Sequence, residues 1–260
     1  MSTHLIGYFE AINSATLVNV NNITDDIVIK LDADRLAVPA EYNFIHWAGA
    51  LGTDISRAQI FTPTLQVRRM NLEVVPRQVG DDIWDLTRSQ IFRPQRPISL
   101  TPTEEIRFQA AEDGSGATST AAIIALGTAT LPPIPPGDIR RNRWTGTQTL
   151  TANTWTTTTV VLDEEYEPGT YVMVNSIQTG VSPYAHRVLF QGQPWRPGGP
   201  SFAGASEAVA VDYDSTWEPF LGGYAMGVFT HRTVPAVQIL ATAADTAQVG
   251  FFDAIRIGAA

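Results

Sequence analysis

The chain has no cysteine, which excludes disulfide staples and thiolate metal sites and leaves stability to packing and backbone pairing. It has one lysine, Lys30, so its positive charge is almost entirely arginine, a side chain whose planar fork suits ion pairs at interfaces. Histidine is scarce: His4, His46, His186 and His231 are the four, and no two stand at metal-ligand spacing. No apolar run approaches the roughly 20 residues that a membrane-spanning helix needs. The first residues, MSTHLIGYFEAI, lack the basic start, apolar run and cleavage-like site of a secretory signal, so a soluble, unsecreted protein is expected. On that basis the sequon Asn22-Ile23-Thr24 is read as noise. The formal charge of −9 argues against a dedicated nucleic-acid binder, which needs a basic surface to neutralise phosphates.

Long helices also have little room, because 17 prolines and 20 glycines interrupt the chain at short intervals. Period-two alternation takes their place. Ile27, Ile29 and Leu31 share one parity, as do Ile106, Phe108 and Ala110, then Val237, Ile239 and Ala241, and finally Phe251, Asp253, Ile255 and Ile257; each set predicts a strand. The run Thr154 to Val161 is β-branched almost throughout and predicts another. Glu112 to Gly116, Glu167-Pro168-Gly169, Gly198-Gly199-Pro200 and Leu221-Gly222-Gly223 predict turns. Short helices are expected at Asp81 to Ser89, which opens with acidic residues, and around Ala205 to Val209.

The sequence repeats itself. Ile106 to Gly127 lies over Val237 to Gly258 without a gap, and at similar offsets Leu31-Asp32 falls on Leu162-Asp163, Pro39 and Tyr42 on Pro168 and Tyr171, and Arg57 near Arg187. A repeat spread over most of the chain predicts tandem duplication of one domain. The expected architecture is all-β, two tandem jelly-roll-like antiparallel β-sandwiches, over residues 1–127 and 144–260. Residues 128–143, which include the prolines at 132, 133, 135 and 136, form the connector, a semi-rigid spacer. An immunoglobulin-like sandwich fits the length as well, but its Cys-Trp-Cys pattern is absent.

A search for chemistry finds little. No Walker loop, dinucleotide fingerprint or GxSxG elbow occurs. Carboxylates cluster at Asp32 and Asp34, Asp81-Asp82, Asp163-Glu164-Glu165, and Asp212 and Asp214; calcium loops and glycosidase pairs both need a convergence that spacing alone does not supply, and solvated loop charge is the plainer reading. No enzyme, cofactor or metal is expected. Arg140, Arg141 and Arg143 are the one basic cluster, open to two readings: contact with nucleic acid or an acidic neighbour, or a linker anchored on its own domains. Trp195, followed by Arg196 in a Pro- and Gly-rich stretch, is either a sugar platform or interface anchor, or a loop residue folded on the sandwich edge. Trp84, Trp144 and Trp217 also stand near expected loops, which suggests loop–loop or subunit contacts.

The stretches Pro168-Gly169-Thr170-Tyr171, Ala185 to Gly192, Trp195-Arg196-Pro197-Gly198 and Ala241 to Ala247, set in two similar sandwiches joined by a proline-rich connector, resemble the double jelly-roll capsid proteins of tailless icosahedral DNA viruses. The resemblance covers the chain as architecture, without one diagnostic motif. It implies a virion protein made in the host cytoplasm, a homotrimer forming pseudo-hexagonal capsomers, contacts with penton or minor capsid proteins, and weak contact with a genome or internal membrane. The chain is short for that family and has no long basic N-terminal arm, which leaves open a minor capsid or decoration role. A tandem carbohydrate- or receptor-binding module is the reading from another class.

Overall fold

The computed structural model describes residues 3–52, 54–68, 72–78, 92–114, 116–180, 182–203, 223–246 and 248–259. The chain divides into two units, Leu5–Ala129 and Thr130–Ala260, the second including the N-terminal residues through His4.

The strands of the first half are β1 (Thr3–Ile12), β2 (Val18–Val20), β3 (Lys30–Asp32), β4 (Arg35–Ala37), β5 (Phe44–Gly52), β6 (Ile55–Phe61), β7 (Leu72–Glu73), β8 (Arg77–Gln78), β9 (Ile98–Ser99), β10 (Glu105–Glu112) and β11 (Thr118–Gly127). One sheet runs β1-β11-β5, with β8 parallel and β9 antiparallel to β5. The other runs β3-β4-β10-β6-β7, with β2 also on β10. In the second half come β12 (Ile139–Gly146), β13 (Thr156–Thr158), β14 (Val160–Leu162), β15 (Gly169–Gly180), β16 (Pro183–Leu189), β17 (Gly198–Pro200), β18 (Phe202–Ala203), β19 (Gly227–Thr230), β20 (Ala236–Ala241) and β21 (Val249–Ala259). Here one sheet runs β14-β12-β21-β15, with β18 parallel and β19 antiparallel to β15, and the other runs β13-β20-β16-β17.

The two arrangements share one eight-strand pattern, while β3-β4 on β10 and β14 on β12 have no counterpart among the described residues of the other unit. The path β1-β11-β5-β9 answers to β12-β21-β15-β19, and β2-β10-β6-β7 answers to β13-β20-β16-β17; even the parallel strands β8 and β18 match. The chain is all-β, and each unit has the two-sheet strand order of a jelly roll. In the second unit Trp144, Tyr171, Met173 and Phe252 from one sheet meet Val188, Val237 and Ile239 from the other in a single core. That burial is the main stabilising term, since apolar area removed from water contributes roughly 25 cal/mol per Å².

The gapless repeat in the sequence coincides with β10-β11 and β20-β21. Its outlying matches are not structural equivalents. Leu31 lies in β3, paired with β4, whereas Leu162 lies in β14, paired with β12 of the other type of sheet. The ladders set Phe61 opposite Arg107 and Arg187 opposite Gln238, so Arg187 holds the place of Phe61 and not that of Arg57. Tyr42 precedes β5, while Tyr171 sits within β15. Short identities drift because the bulges fall at different places in the two copies, at His46 in β5 and at Val174 in β15.

Other expectations need correction. Ile29 and Leu31 share a parity but are 70% and 53% exposed; the strand there is only Lys30–Asp32, and the buried neighbour is Val28. The β-branched run from Thr154 is not one strand: β13 joins β20 in one sheet and β14 joins β12 in the other, so the chain changes sheet at Thr159. Gly198-Gly199-Pro200 is no turn but the strand β17, where Gly198 is demanded by space: a Cβ would meet the His186 carbonyl and lie 2.6 Å from Arg187 Cα. A helix the sequence did not announce, α1 (Pro63–Val67), starts at the Thr62 cap, whose hydroxyl accepts from Leu65 N–H at 3.1 Å. The two helices expected from the sequence lie outside the described residues.

Candidate functional site

Arg140, Arg141 and Arg143 all fall on β12. Arg141 grips Asp253 on the neighbouring strand with two parallel bonds, Nε to Oδ1 at 2.8 Å and Nη2 to Oδ2 at 2.7 Å, and Asn175 donates to the same carboxylate. Arg143 donates to both oxygens of Asp163 at 3.0 Å. Arg140 reaches Glu164 at 3.4 Å and the Glu165 carbonyl, over the ring of Tyr166. Each guanidinium is thus matched within its own unit, and the partners of Arg140 and Arg143 belong to the Asp163-Glu164-Glu165 cluster that the sequence left as solvated charge.

The histidines are engaged with the backbone. His186 is buried and donates from Nε2 to the Ser176 carbonyl at 3.0 Å; burial pushes its pKa down to about 4. His46 Nε2 donates to the Thr128 carbonyl, and its pKa is lowered, first by burial. His231 Nδ1 accepts from Gly169 N–H, and His4 Nδ1 accepts from Arg196 N–H at 3.2 Å. Asp32 is held below the usual carboxylate range by the Ala33 N–H and by Arg35. Among the described residues no three His, Asp or Glu side chains converge as a metal site would require. Asp81, Asp82, Asp212 and Asp214 lie outside the described residues, as do Trp84 and Trp217.

Residues 130–137 belong to the second unit and run across its sheet as a strap. Ala225 N–H donates to the Pro132 carbonyl, Pro133 bridges to Tyr224, and Ile134 packs on a small cluster of Val172, Val174, Ala225 and Ile255. Beside the strap lies a groove of about 290 Å³ in which Pro133, Pro135, Trp195, Val172, Val228 and Ile257 present apolar surface. Gln193 supplies a polar contact: its Oε1 is buried with no hydrogen-bond partner. Trp195 therefore does line a concave surface. Arg196 turns away from chemistry: Nη1 donates to Gln238 Oε1 at 2.8 Å, the same oxygen that takes Arg187 Nε at 2.7 Å. Arg187 is fully buried, stacked over Trp155 at 4.2 Å. Sequence reasoning found Trp195 but missed the strap prolines, Val228 and Ile257; the proline pairs announced stiffness, not the sheet they would lie on.

No family model matches the sequence, and no curated protein matches it. Among solved structures the chain is similar to the major capsid protein P2 from bacteriophage PM2, at 10% identity over 98% of both chains with a TM-score of 0.24. A superposition that loose carries no argument, so the fold stated above rests on strand pairing alone.

Proposed function

We propose that the chain is a structural protein of a virion shell, and specifically a major capsid protein in which three copies form a pseudo-hexagonal capsomer. The observation that carries this reading is the duplication: two units with the same strand order in one chain give three chains six similar building blocks, so a threefold assembly can occupy a sixfold position. In this reading function lies in contacts between copies, with neighbouring capsomers and with penton or minor capsid proteins. Contact with genome or an internal membrane is weak and involves no specific nucleic-acid site, in keeping with a net charge of −9 and with arginines matched to carboxylates.

Light scattering on the purified protein, followed by electron microscopy of the same fraction, tests the proposal. A trimer with a six-lobed outline is expected. A stable monomer at high concentration overturns it and favours a decoration protein. The glycan-binding alternative would set a sugar on Trp195, but the groove offers one buried unpaired acceptor, and hydroxyls buried without partners cost free energy. Glycan-array binding abolished by Trp195→Ala would revive that alternative.

A further inference from the structure

Asp113-Gly114 is the single Asp-Gly pair in the chain, and no Asn-Gly pair occurs. It stands in the turn between β10 and β11, and both residues are exposed. Gly114 has a φ of +97°, and apart from its chain neighbours no atom lies within 4 Å of the place a Cβ would take. On that side its main-chain nitrogen is uncrowded. In such a pair the nitrogen and the preceding side-chain carboxyl can close a five-membered imide, because glycine puts no Cβ in the way.

What this turn adds is a base. Glu112, the last residue of β10, is only 5% exposed. Its main chain is fixed on both sides: the N–H donates to the Ser14 carbonyl at 2.8 Å, and the carbonyl accepts from the Ser56 hydroxyl at 2.9 Å. The register of β10 against β6 shifts between Ala111 and Glu112, a bulge of the kind that re-aims a side chain. The carboxylate reaches forward into the turn, where Oε2 accepts from Gly114 N–H at 2.5 Å and from Gly116 N–H at 3.5 Å. Asp113 N–H donates to the Asp54 carbonyl at 2.9 Å, so the residue between them is held as well. A proton acceptor therefore already sits on the N–H that must lose its proton before the nitrogen can react, and a positioned general base contributes typically about 10²–10⁴-fold.

We infer that Asp113 is a site of self-catalysed isomerisation to isoaspartate, with Glu112 as the base. The Gly114 nitrogen gives its proton to Glu112 Oε2 and bonds to Cγ of the protonated Asp113 carboxyl; the hydroxyl leaves Cγ, takes the proton back from Glu112 and departs as water. Water then adds to the main-chain carbonyl carbon of Asp113, and the bond from that carbon to the Gly114 nitrogen breaks. Gly114 is left joined through Asp113 Cγ, with one extra carbon in the main chain between β10 and β11 and a free α-carboxylate. The water lost is regained, so the change needs no oxidant, cofactor or partner and leaves the mass unaltered. It does not depend on the self-assembly reading, although in a shell whose subunits are not replaced the isomer would accumulate with the age of the particle.

For the test, the full-length protein is held folded at neutral pH and, in parallel, unfolded in guanidinium chloride, where Glu112 is no longer kept on the Gly114 N–H. Samples taken over several weeks are digested with trypsin, which releases Phe108–Arg140; the isomer, equal in mass, is resolved by chromatography and assigned by electron-transfer fragmentation. Isoaspartate at Asp113 is expected to form roughly tenfold or more faster in the folded protein than in the unfolded chain. Glu112→Gln, which keeps an acceptor for the turn but is not a base, should bring the folded rate down toward the unfolded one. No isomer in the folded protein, or a folded rate no higher than the unfolded rate, overturns the proposal, as does a folded Glu112→Gln variant that isomerises at the parental rate. The comparison of folded with unfolded protein uses the parent alone, so it decides the question even where Glu112→Gln does not fold.

Discussion

Gly198 illustrates how one residue can be fixed by its neighbours rather than by its own backbone. It sits in β17 against Arg187, where any Cβ would press on the backbone of β16; backbone cannot move aside as the tip of a side chain can. Gly198→Ala is therefore expected to cost about 2 kcal/mol or more, measured by urea denaturation. Gly192→Ala is the control: its φ is +74° with open space around it, so it should cost only about 1 kcal/mol of backbone strain. His186 sets a pH dependence. Its folded pKa is about 4 against about 6.5 in the unfolded chain, so between those values the unfolded chain binds the proton and the folded chain does not. Stability from this group is complete above about 6.5 and declines as pH falls toward 4, by on the order of 3 kcal/mol. His186→Gln, which keeps a donor for the Ser176 carbonyl, should flatten that slope in urea midpoints taken across the window. An unchanged slope would mean that His186 is not the group responsible.

At the scale of elements, the strap shows how a connector becomes part of a sandwich. The proline pairs hold residues 132–136 extended, and the extended chain lies on apolar positions of β15 and β21 that a solvated sheet face would not carry. Ile134→Asp places a carboxylate against Val172, Val174 and Ile255. A loss of about 2 kcal/mol is expected from the half-buried, unpaired carboxylate, read as a lower denaturation midpoint; a neutral result would mean the strap is not held by this contact. The alternating sets in β10 and β20 were legible in the sequence because one side of each strand faces the core; in β21 the core side carries Phe252 and Ala254, not the Phe251-to-Ile257 set, and Ile257 is exposed. Ile29 and Leu31 follow the same alternation, yet they face solvent, since alternation reports a shared side and not what covers it. The Thr154–Val161 run likewise reported β geometry but not the change of sheet at Thr159, which depends on which strands lie alongside.

For the whole molecule, a charge of −9 on every copy opposes association at long range, whereas apolar contacts between copies act at contact distance. Screening removes the long-range part first: the Debye length falls from about 30 Å at 0.01 M salt to about 8 Å at 0.15 M. The scattering mass should therefore rise over that interval. A falling mass would mean that exposed ion pairs, not apolar contacts, hold the copies together.

The sequence by itself determined that the chain is all-β and that a segment of it occurs twice, because composition and periodicity are local consequences of strand geometry and turn chemistry. It also marked Trp195 and the arginine cluster for attention. Only the tertiary structure decided what they do: Arg140, Arg141 and Arg143 meet carboxylates brought close by β14 and β21 or their flanking residues, and Trp195 joins prolines some sixty positions earlier in the chain. Such pairings are set by strand order and register. A ladder can bring any two segments together, so no local pattern in the chain records which ones will meet.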